Sequence, residues 1–481
     1  MNGLSPIAIS PGNAMPPTGI QPVARGAEPA LARQAAQPRR VLVITYHFPP
    51  SNEIGAHACA QITRYLPLYG WQPVVLTAHQ RQVAEADSRF NYAFPGPVLR
   101  TPVIPHPLTI YRRAKSILYP NVLGVRGGKA PSDVTRGLRR RLLSLLAVPD
   151  VYTGWIVPAI LGGLAAIHRH RVEHLFSSGP YWTNHLVGFM LARLTRLPWT
   201  AHFRDPWAHA PHAGPASTLS RHINIALEHA VVRSATFVVC VTDSHTNLLR
   251  EAHPALATEK FATIPNGFDP AEWEGLPAGN GQNASSPQRT FVITYAGSLY
   301  ERRSPVPLFR AVQRLAQDRE IDLDRIRIDL CGDCDRGEGH SVEELAAAFG
   351  LAHCVNITGP LSRADTLRRV SQSDLLLLLA EGLNLQIPGK TYEYLTAARP
   401  ILALTSEGAL ADLLRRTGGA WVVDPSDQIG VAAAVREVYQ AWTDGRVLPM
   451  ADPGLVSGFD RRVLAGGFAE LFDRGITRVY A

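Results

Sequence analysis

Lys390 and Glu393 stand three residues apart in QIPGKTYEYL (residues 386–395), behind Pro388 and Gly389 and between the apolar runs DLLLLLAEG and RPILALTSEG. Proline ends a strand, glycine lets a ligand approach the backbone, and the free N–H groups of a helix's first turn attract anions. Lys390 adds a positive charge to such a turn. Glu393 projects from the same helical face, and its acceptor-only carboxylate suits two neighbouring hydroxyls. A lysine facing a diphosphate and a carboxylate facing a ribose diol together describe nucleoside diphosphate binding. A solvated lysine beside a glutamate that merely suits the helix dipole fits the same residues, so the other turns have to decide.

YAGSLYERRSP puts Gly297 at a strand end, with Arg302 and Arg303 in the loop beyond it, another place where phosphate oxygens can be held. Further upstream, Gly55 follows the loop after YHFPP, and AHFRDPW brings Arg204, Asp205 and Trp207 to the end of another strand. That second cluster can form an acceptor site, or Arg204 and Asp205 can form a structural ion pair. His47 and His185 sit at strand-to-helix turns as well, where a histidine either lines a cleft or packs. Cys331 and Cys334 have a metal-ligand or redox spacing but no second pair, which favours buried strand-end thiols. Asp333 and Asp335 flank the same loop without the surroundings a cation site needs, so no metal is expected.

The elements that carry these turns follow a repeated rhythm. RRVLVITYHFPP, WQPVVLTAH, VEHLFSSG, WTAHFRD, ATFVVCVTD and KFATIPNGF read as strands separated by helical stretches such as AHACAQITRYLPLYG. After the Gly-, Asn- and Ser-rich GLPAGNGQNASSPQRT the alternation restarts with TFVITYAGSL, IRIDLCGD, CVNITGPL, DLLLLLAEG, PILALTSEG and AWVVDPSD. The fold class is therefore α/β, with two Rossmann-like, doubly wound parallel-sheet domains facing a cleft. The boundaries fall at a Pro/Ala-rich tail over 1–38, a first domain over 39–275, a linker over 276–290, a second domain over 291–452, and a helical end over 453–481 that is free to cross back to the first domain.

Composition narrows the class further. The 481 residues are 46% hydrophobic and 18% charged, which excludes general disorder. No apolar run reaches the roughly 20 residues of a bilayer-spanning helix, and Pro158 interrupts the best one, WIVPAILGGLAAIH. The N-terminal stretch lacks the charged start and apolar block of a secretory signal, and five scattered cysteines suit a reducing compartment. A cytoplasmic protein is expected. Its formal charge of +8 is concentrated: Arg112, Arg113, Lys115, Arg126, Lys129, Arg136, Arg139, Arg140 and Arg141 face only Asp133, which leaves the rest of the chain formally neutral. Within 111–147, TRGLRRRLLSLLAV gathers Leu138, Leu142, Leu145 and Leu146 on one face, as in a helix lying on an anionic membrane or one packed against its own domain. The segment has few aromatics to stack bases, so nucleic acid is not an expected partner.

Taken in order, YHFPP, GWQPVVLT, FRDPW, IPNGFD, YAGSLY and IPGKTYEYLTAARPILAL resemble the retaining nucleotide-sugar glycosyltransferases of family four, which have the GT-B fold. The resemblance runs from residue 39 to about 440. It implies that the second domain binds the donor, with Arg302, Arg303 and Lys390 on the diphosphate, Glu393 on the ribose, and Gly55, Gly297, Gly389 and Thr391 lining the pocket. It implies that the first domain binds the acceptor, with Asp205 orienting it. Arg204, Asp205, Arg303 and Lys390 form the implied catalytic set. The departing diphosphate assists the attack, and no cofactor is needed beyond the nucleotide-diphosphate sugar.

Two positions depart from the family. Relatives carry paired glutamates around this helix, but the position eight before Glu393 is Leu385. Many also have His-Asp where this chain has Arg204-Asp205, and either Arg204 itself or the nearby His202 is expected to compensate. The acceptor implied is lipid-linked or another glycan, used in bacterial surface or exopolysaccharide synthesis at the inner face of the membrane. A sugar-nucleotide epimerase of the same fold would act without an acceptor, and a non-catalytic relative would bind donor without transferring it.

Overall fold

The computed structural model describes residues 38–51, 54–79, 94–105, 148–209, 217–276, 289–300 and 303–480. The tail before Pro38, most of the linker, the basic segment from Arg112 to Arg141, and Arg302 lie outside the described residues.

The first lobe is built on β1 (Arg39–Ile44), β2 (Trp71–Ala78), β3 (Val98–Thr101), β4 (His174–Ser178), β5 (Trp199–Phe203), β6 (Phe237–Cys240) and β7 (Phe261–Thr263). These form one parallel sheet in the order β3-β2-β1-β4-β5-β6-β7. The second lobe contains β8 (Phe291–Ala296), β9 (Ile326–Cys331), a two-residue hairpin of β10 (Arg336–Gly337) and β11 (His340–Ser341), then β12 (Val355–Gly359), β13 (Leu375–Leu379), β14 (Ile401–Leu404) and β15 (Ala420–Val423). Its parallel sheet has the order β12-β9-β8-β13-β14-β15. In each lobe the chain winds outward one way from the central strand and then returns to wind the other, the doubly wound arrangement expected from alternating strands and helices.

Helices cover both faces of each sheet, which is why the strands read as unbroken apolar runs. Along β13, Leu375, Leu377 and Leu379 join one core with Phe309 and Val435, while Leu376 and Leu378 join another with Tyr392, Tyr394 and Leu414. In β1, Leu42 and Ile44 face one side and Val41 and Val43 the other. Three strands are absent from the sequence reading: the β10–β11 hairpin and β3, a short, half-buried piece at the sheet edge. WIVPAILGGLAAIH forms the helix Ile156–His170, with Pro158 in the first turn, where its missing N–H costs nothing. Among the described residues no helix is long and apolar enough to cross a membrane.

The lobes are joined where the chain crosses between them twice. The Phe268 N–H donates to the Phe459 carbonyl (3.1 Å) and the Arg461 N–H to the Phe268 carbonyl (3.0 Å), which pins the outgoing and returning segments side by side. A Cβ on Gly267 would collide with the Phe459 carbonyl oxygen, so only glycine lets them meet. The crossing also breaks the terminal helix into Pro453–Ser457 and Arg461–Tyr480. The longer piece lies on the first sheet, with Phe468 and Phe472 packed against Val41, Val43, Phe176 and Phe237.

Candidate active site

β8 and β13 are hydrogen-bonded neighbours from which the chain winds in opposite directions, so the crevice beyond their carboxyl ends is the ligand position of this topology. Gly297 ends β8 at φ +142°, a conformation that suits glycine, and an added Cβ would collide with the Lys390 Nζ. The ammonium therefore occupies the space a side chain on residue 297 would take. It lies 3.9 Å from the centre of the Tyr295 ring, and the Tyr295 hydroxyl donates to the Ser298 carbonyl (2.9 Å). Although the lysine stem is partly exposed, its Nζ is buried and has no hydrogen-bond partner among the described residues, and the buried Thr391 hydroxyl also lacks one there. Burial, with Arg303 adding to it, pulls the Lys390 pKa down to about 7. Arg303 lies over Tyr300, 4.2 Å from the ring centre.

Cys334 belongs to this corner too. Its thiol donates to the Gly297 carbonyl (3.1 Å), and burial pushes its pKa up to about 12, which makes it a packing group rather than a nucleophile. Gly389 is not required by its own backbone conformation. It has φ −55° and ψ −35°, values any residue adopts, and a Cβ there meets nothing of this chain within 4 Å. The helix that follows, Lys390–Thr396, spans only seven residues, so its dipole is small and the positive charge of the corner comes from side chains.

Glu393 differs from the sequence reading: it is ion-paired. Arg363 Nη2 donates to its Oε1 (2.7 Å) and to Glu272 Oε2 (2.7 Å), while Arg363 Nε also reaches Glu272 Oε2 (3.1 Å). Gln61 Nε2 donates to the other Glu272 oxygen (2.9 Å). The carboxylate assigned to a ribose is thus held at one oxygen by a fixed guanidinium.

On the first lobe Arg204 lies at the end of β5 against the helix Ile54–Tyr65, its Nη1 3.1 Å from where a Cβ on Gly55 would lie. Its Nε and Nη1 are buried with no hydrogen-bond partner among the described residues. Asp205 does not pair with Arg204; it accepts from Gln386 of the second lobe instead. Next to that contact the Thr242 hydroxyl donates to the Leu385 carbonyl (2.7 Å). The Leu385 backbone thus helps to join the lobes. The two halves of the candidate site therefore meet at residues 385–386, four positions before Lys390.

The histidines do not line the crevice. His185 is fully buried with Nδ1 on Ser177 Oγ (2.8 Å) and stacks on Phe203. His202 is buried too, with Nδ1 on Ser178 Oγ (3.2 Å), and stacks on Phe176, so it cannot replace the missing cleft histidine. His47 is buried beside Ser51 Oγ (3.0 Å). Trp207 stacks on Trp182 and donates to Asn224 (2.9 Å).

Sequence reasoning passed over Gln386, Thr242, Arg363 and Glu272. Gln386 and Thr242 border quoted motifs, and Arg363 is the first residue of its helix, a place where a cation opposes the dipole. That local conflict was the available signal.

Two doubly wound lobes around one crevice, with the unpartnered cations at strand ends, constitute a GT-B architecture. Residues 290–441 match the sequence family described as glycosyl transferases group 1. Solved structures similar to the chain include sucrose-phosphate synthase from Thermosynechococcus elongatus, at TM-score 0.61 and 15% identity, covering 91% of this chain and 98% of that one. HepE from Anabaena, solved with UDP and glucose, aligns at TM-score 0.56 and 13% identity over 91% of this chain and 100% of its own. The lipopolysaccharide outer core galactosyltransferase WaaB, in its apo form, aligns at TM-score 0.54 and 8% identity over 91% and 99%. At these identities the likeness is one of fold. No curated protein matches the chain by sequence.

Proposed function

We propose that this protein is a glycosyltransferase that moves a sugar from a nucleotide-diphosphate sugar to a glycan acceptor with retention of configuration. The observation that carries this reading is the Lys390 ammonium, buried at the end of β8 over the Tyr295 ring with no hydrogen-bond partner among the described residues, beside the Thr391 hydroxyl, which also lacks one there. An unpaired buried ammonium is costly, and a diphosphate is a ligand that would compensate it. Lys390, Arg303 and Arg302 would hold the diphosphate, with Gly297 and Gly389 leaving room for it and Glu393 meeting the ribose. The HepE structure with UDP and glucose supports a donor of this chemistry.

In the step proposed, the bond between the sugar's anomeric carbon and the leaving phosphate oxygen breaks as an acceptor hydroxyl oxygen attacks from the same face. The hydroxyl proton passes to the departing phosphate. Lys390 and Arg303 stabilise the charge that develops there, a contribution of about 10²- to 10³-fold for each well-placed donor. Asp205 orients the acceptor, and Arg204 and Gly55 form its wall. The lipid-linked acceptor and the anionic membrane surface at the inner face of the membrane rest on the basic segment Arg112–Arg141 and are part of the same proposal.

A thermal-shift screen of nucleoside diphosphates tests this reading. At a concentration about 100 times the Kd, the bound nucleotide is expected to stabilise the chain by about 2.7 kcal/mol; no shift with any of them would refute the donor site. A second expectation concerns protons. With a pKa of about 7, free Lys390 is mostly neutral at pH 8, and an adjacent diphosphate restores its charge. Binding of UDP at pH 8 is therefore expected to take up about one proton, and affinity to fall as pH rises above 7. Calorimetry in buffers of different ionisation enthalpy reads the uptake, and equal heats in all of them would exclude it.

Gly297→Ala is expected to lower nucleotide affinity about tenfold or more. The new methyl group displaces the ammonium, and the φ of +142° strains any other residue by about 1–3 kcal/mol. Titration of the variant against wild type decides it; equal affinity would show that Lys390 does not depend on that space.

A further inference from the structure

A guanidinium at the first position of a helix works against the helix dipole, yet Arg363 opens Arg363–Gln372 just beyond the carboxyl end of β12. Its contacts explain why it is there. The Nη2 atom is 2.7 Å from both Glu272 Oε2 and Glu393 Oε1, and Nε adds a bond to Glu272 (3.1 Å). Burial alone would pull its pKa down, but the Glu393 and Glu272 carboxylates outweigh that and push it up, so it is charged at any physiological pH. One cation thus bridges two carboxylates from different parts of the chain.

Those parts belong to different lobes. Glu272 lies in the turn Pro270–Glu272 at the exit of the first lobe, and its other oxygen is held by Gln61 of the helix Ile54–Tyr65. Glu393 is on the short helix that carries Lys390. A path of hydrogen bonds therefore runs from Gln61 through Glu272 and Arg363 to Glu393.

We propose that Arg363 is the positioning residue of the ribose site, fixing one Glu393 oxygen so that the other is presented to the ribose hydroxyls, and that Glu272 ties this presentation to the placement of the first lobe. The inference rests on the donor reading above and adds to it a residue and a connection between the lobes. A glutamate has three rotatable side-chain bonds, and holding one oxygen removes most of that freedom before the ligand arrives. The fork of a guanidinium suits the task because it can serve two carboxylates in one plane, whereas a lysine offers a single point charge.

The test uses the full chain with UDP and 2′,3′-dideoxy-UDP, which share every group except the ribose hydroxyls. Wild type is expected to prefer UDP by about tenfold or more, the difference made by hydrogen bonds to a charged acceptor. In Arg363→Gln the preference should fall to about twofold or less. A residue that only braced the fold would lower both affinities alike and leave the ratio where it was, so an unchanged ratio overturns the proposal. Should the Gln variant fail to fold, Arg363→Lys retains the charge without the fork and should also lose part of the preference; full preference in a folded Lys variant counts equally against it. Glu272→Gln removes the anchor on the first lobe and is expected to lower the ratio in the same direction, and an unchanged ratio there refutes the connection between lobes. Failure of the donor reading looks different: wild type itself would bind neither nucleotide or would not distinguish them.

Discussion

Lys390→Met is expected to lower kcat/KM by about 10³-fold while leaving the melting temperature unchanged or higher. The two halves of that result have one cause. The ammonium is buried without a hydrogen bond among the described residues, and its pKa of about 7 follows from burial beside Arg303, which disfavours the charged form. A methionine of similar length takes the charge out of that corner and fills the space over Tyr295, so the fold loses a strained group rather than a supporting one. The departing diphosphate, in contrast, loses the cation nearest the end of β8, and a preorganised donor of this kind contributes about 10²- to 10³-fold by itself. Loss of the ground-state diphosphate contact accounts for the remainder. Steady-state rates and a melting curve on the same preparation measure both. Full activity in the variant would remove Lys390 from the reaction, and a large drop in melting temperature would mean that the ammonium has a structural partner after all.

The legible part of this protein was its periodicity. Runs such as LLLLL in β13 and RRVLVI in β1 are apolar on both faces because helices cover both sides of each sheet, and that pattern needs no tertiary information. β3 escaped because VLRT lies at an edge, half-buried, where neither alternation nor a continuous apolar run is required. At the site, a lysine behind Pro388 and Gly389 was readable as a candidate because strand-to-helix turns at the carboxyl edge of a doubly wound sheet are where ligands bind. Its burial against Gly297 was not, since the contact joins residues 93 positions apart. The same limit hid Arg363, whose partners Glu272 and Glu393 lie 91 and 30 residues away. Glu393 was picked out by its spacing from Lys390 but drawn as a free acceptor, because spacing along a helix says nothing about a cation arriving from another one.

The departures at Leu385 and Arg204 gain a physical meaning together. With no glutamate at 385, the backbone there accepts from Thr242, and Gln386 engages Asp205, so this segment serves as the seam between lobes. Arg204, left without Asp205 as a partner, keeps two buried nitrogens unsatisfied beside Gly55. Such a group costs about 1–3 kcal/mol unless something anionic or carbonyl-bearing meets it. This is the reason the proposal gives Arg204 a ligand-facing role rather than that of a structural ion pair.

Between pH 7.5 and pH 5 the unfolding free energy is expected to fall by about 6 kcal/mol, enough to bring an ordinary domain of 5–15 kcal/mol close to its midpoint. Three buried imidazoles account for this figure; buried His253, also pulled down to about 4, adds to it, and His209, raised by its hydrogen bond to Glu228, opposes it. Burial pulls His174 and His185 down to about 3 and His245 to about 4, from the ordinary 6.5. Among the described residues His174 and His185 bond only to hydroxyls, Thr200 Oγ1 and Ser177 Oγ, and no hydrogen bond meets either ring nitrogen of His245. Because the folded pKa values lie below the unfolded ones, the unfolded chain binds more protons in acid, so stability starts to be lost as pH drops below 6.5 and continues to be lost down to the folded values. At pH 5 each residue accounts for about 2 kcal/mol. His202, shifted the same way within the strand that ends just before Arg204, adds to the loss. The raised pKa of buried Asp150 acts in the opposite sense, but only where carboxyl groups titrate. Urea titrations at pH 7.5, 6 and 5 measure the slope; a flat profile would show that these imidazoles accept protons in place. The consequence for activity is that its acid limb should follow unfolding and its alkaline limb the deprotonation of Lys390, so a Lys390 variant should change the second limb and leave the first where it is.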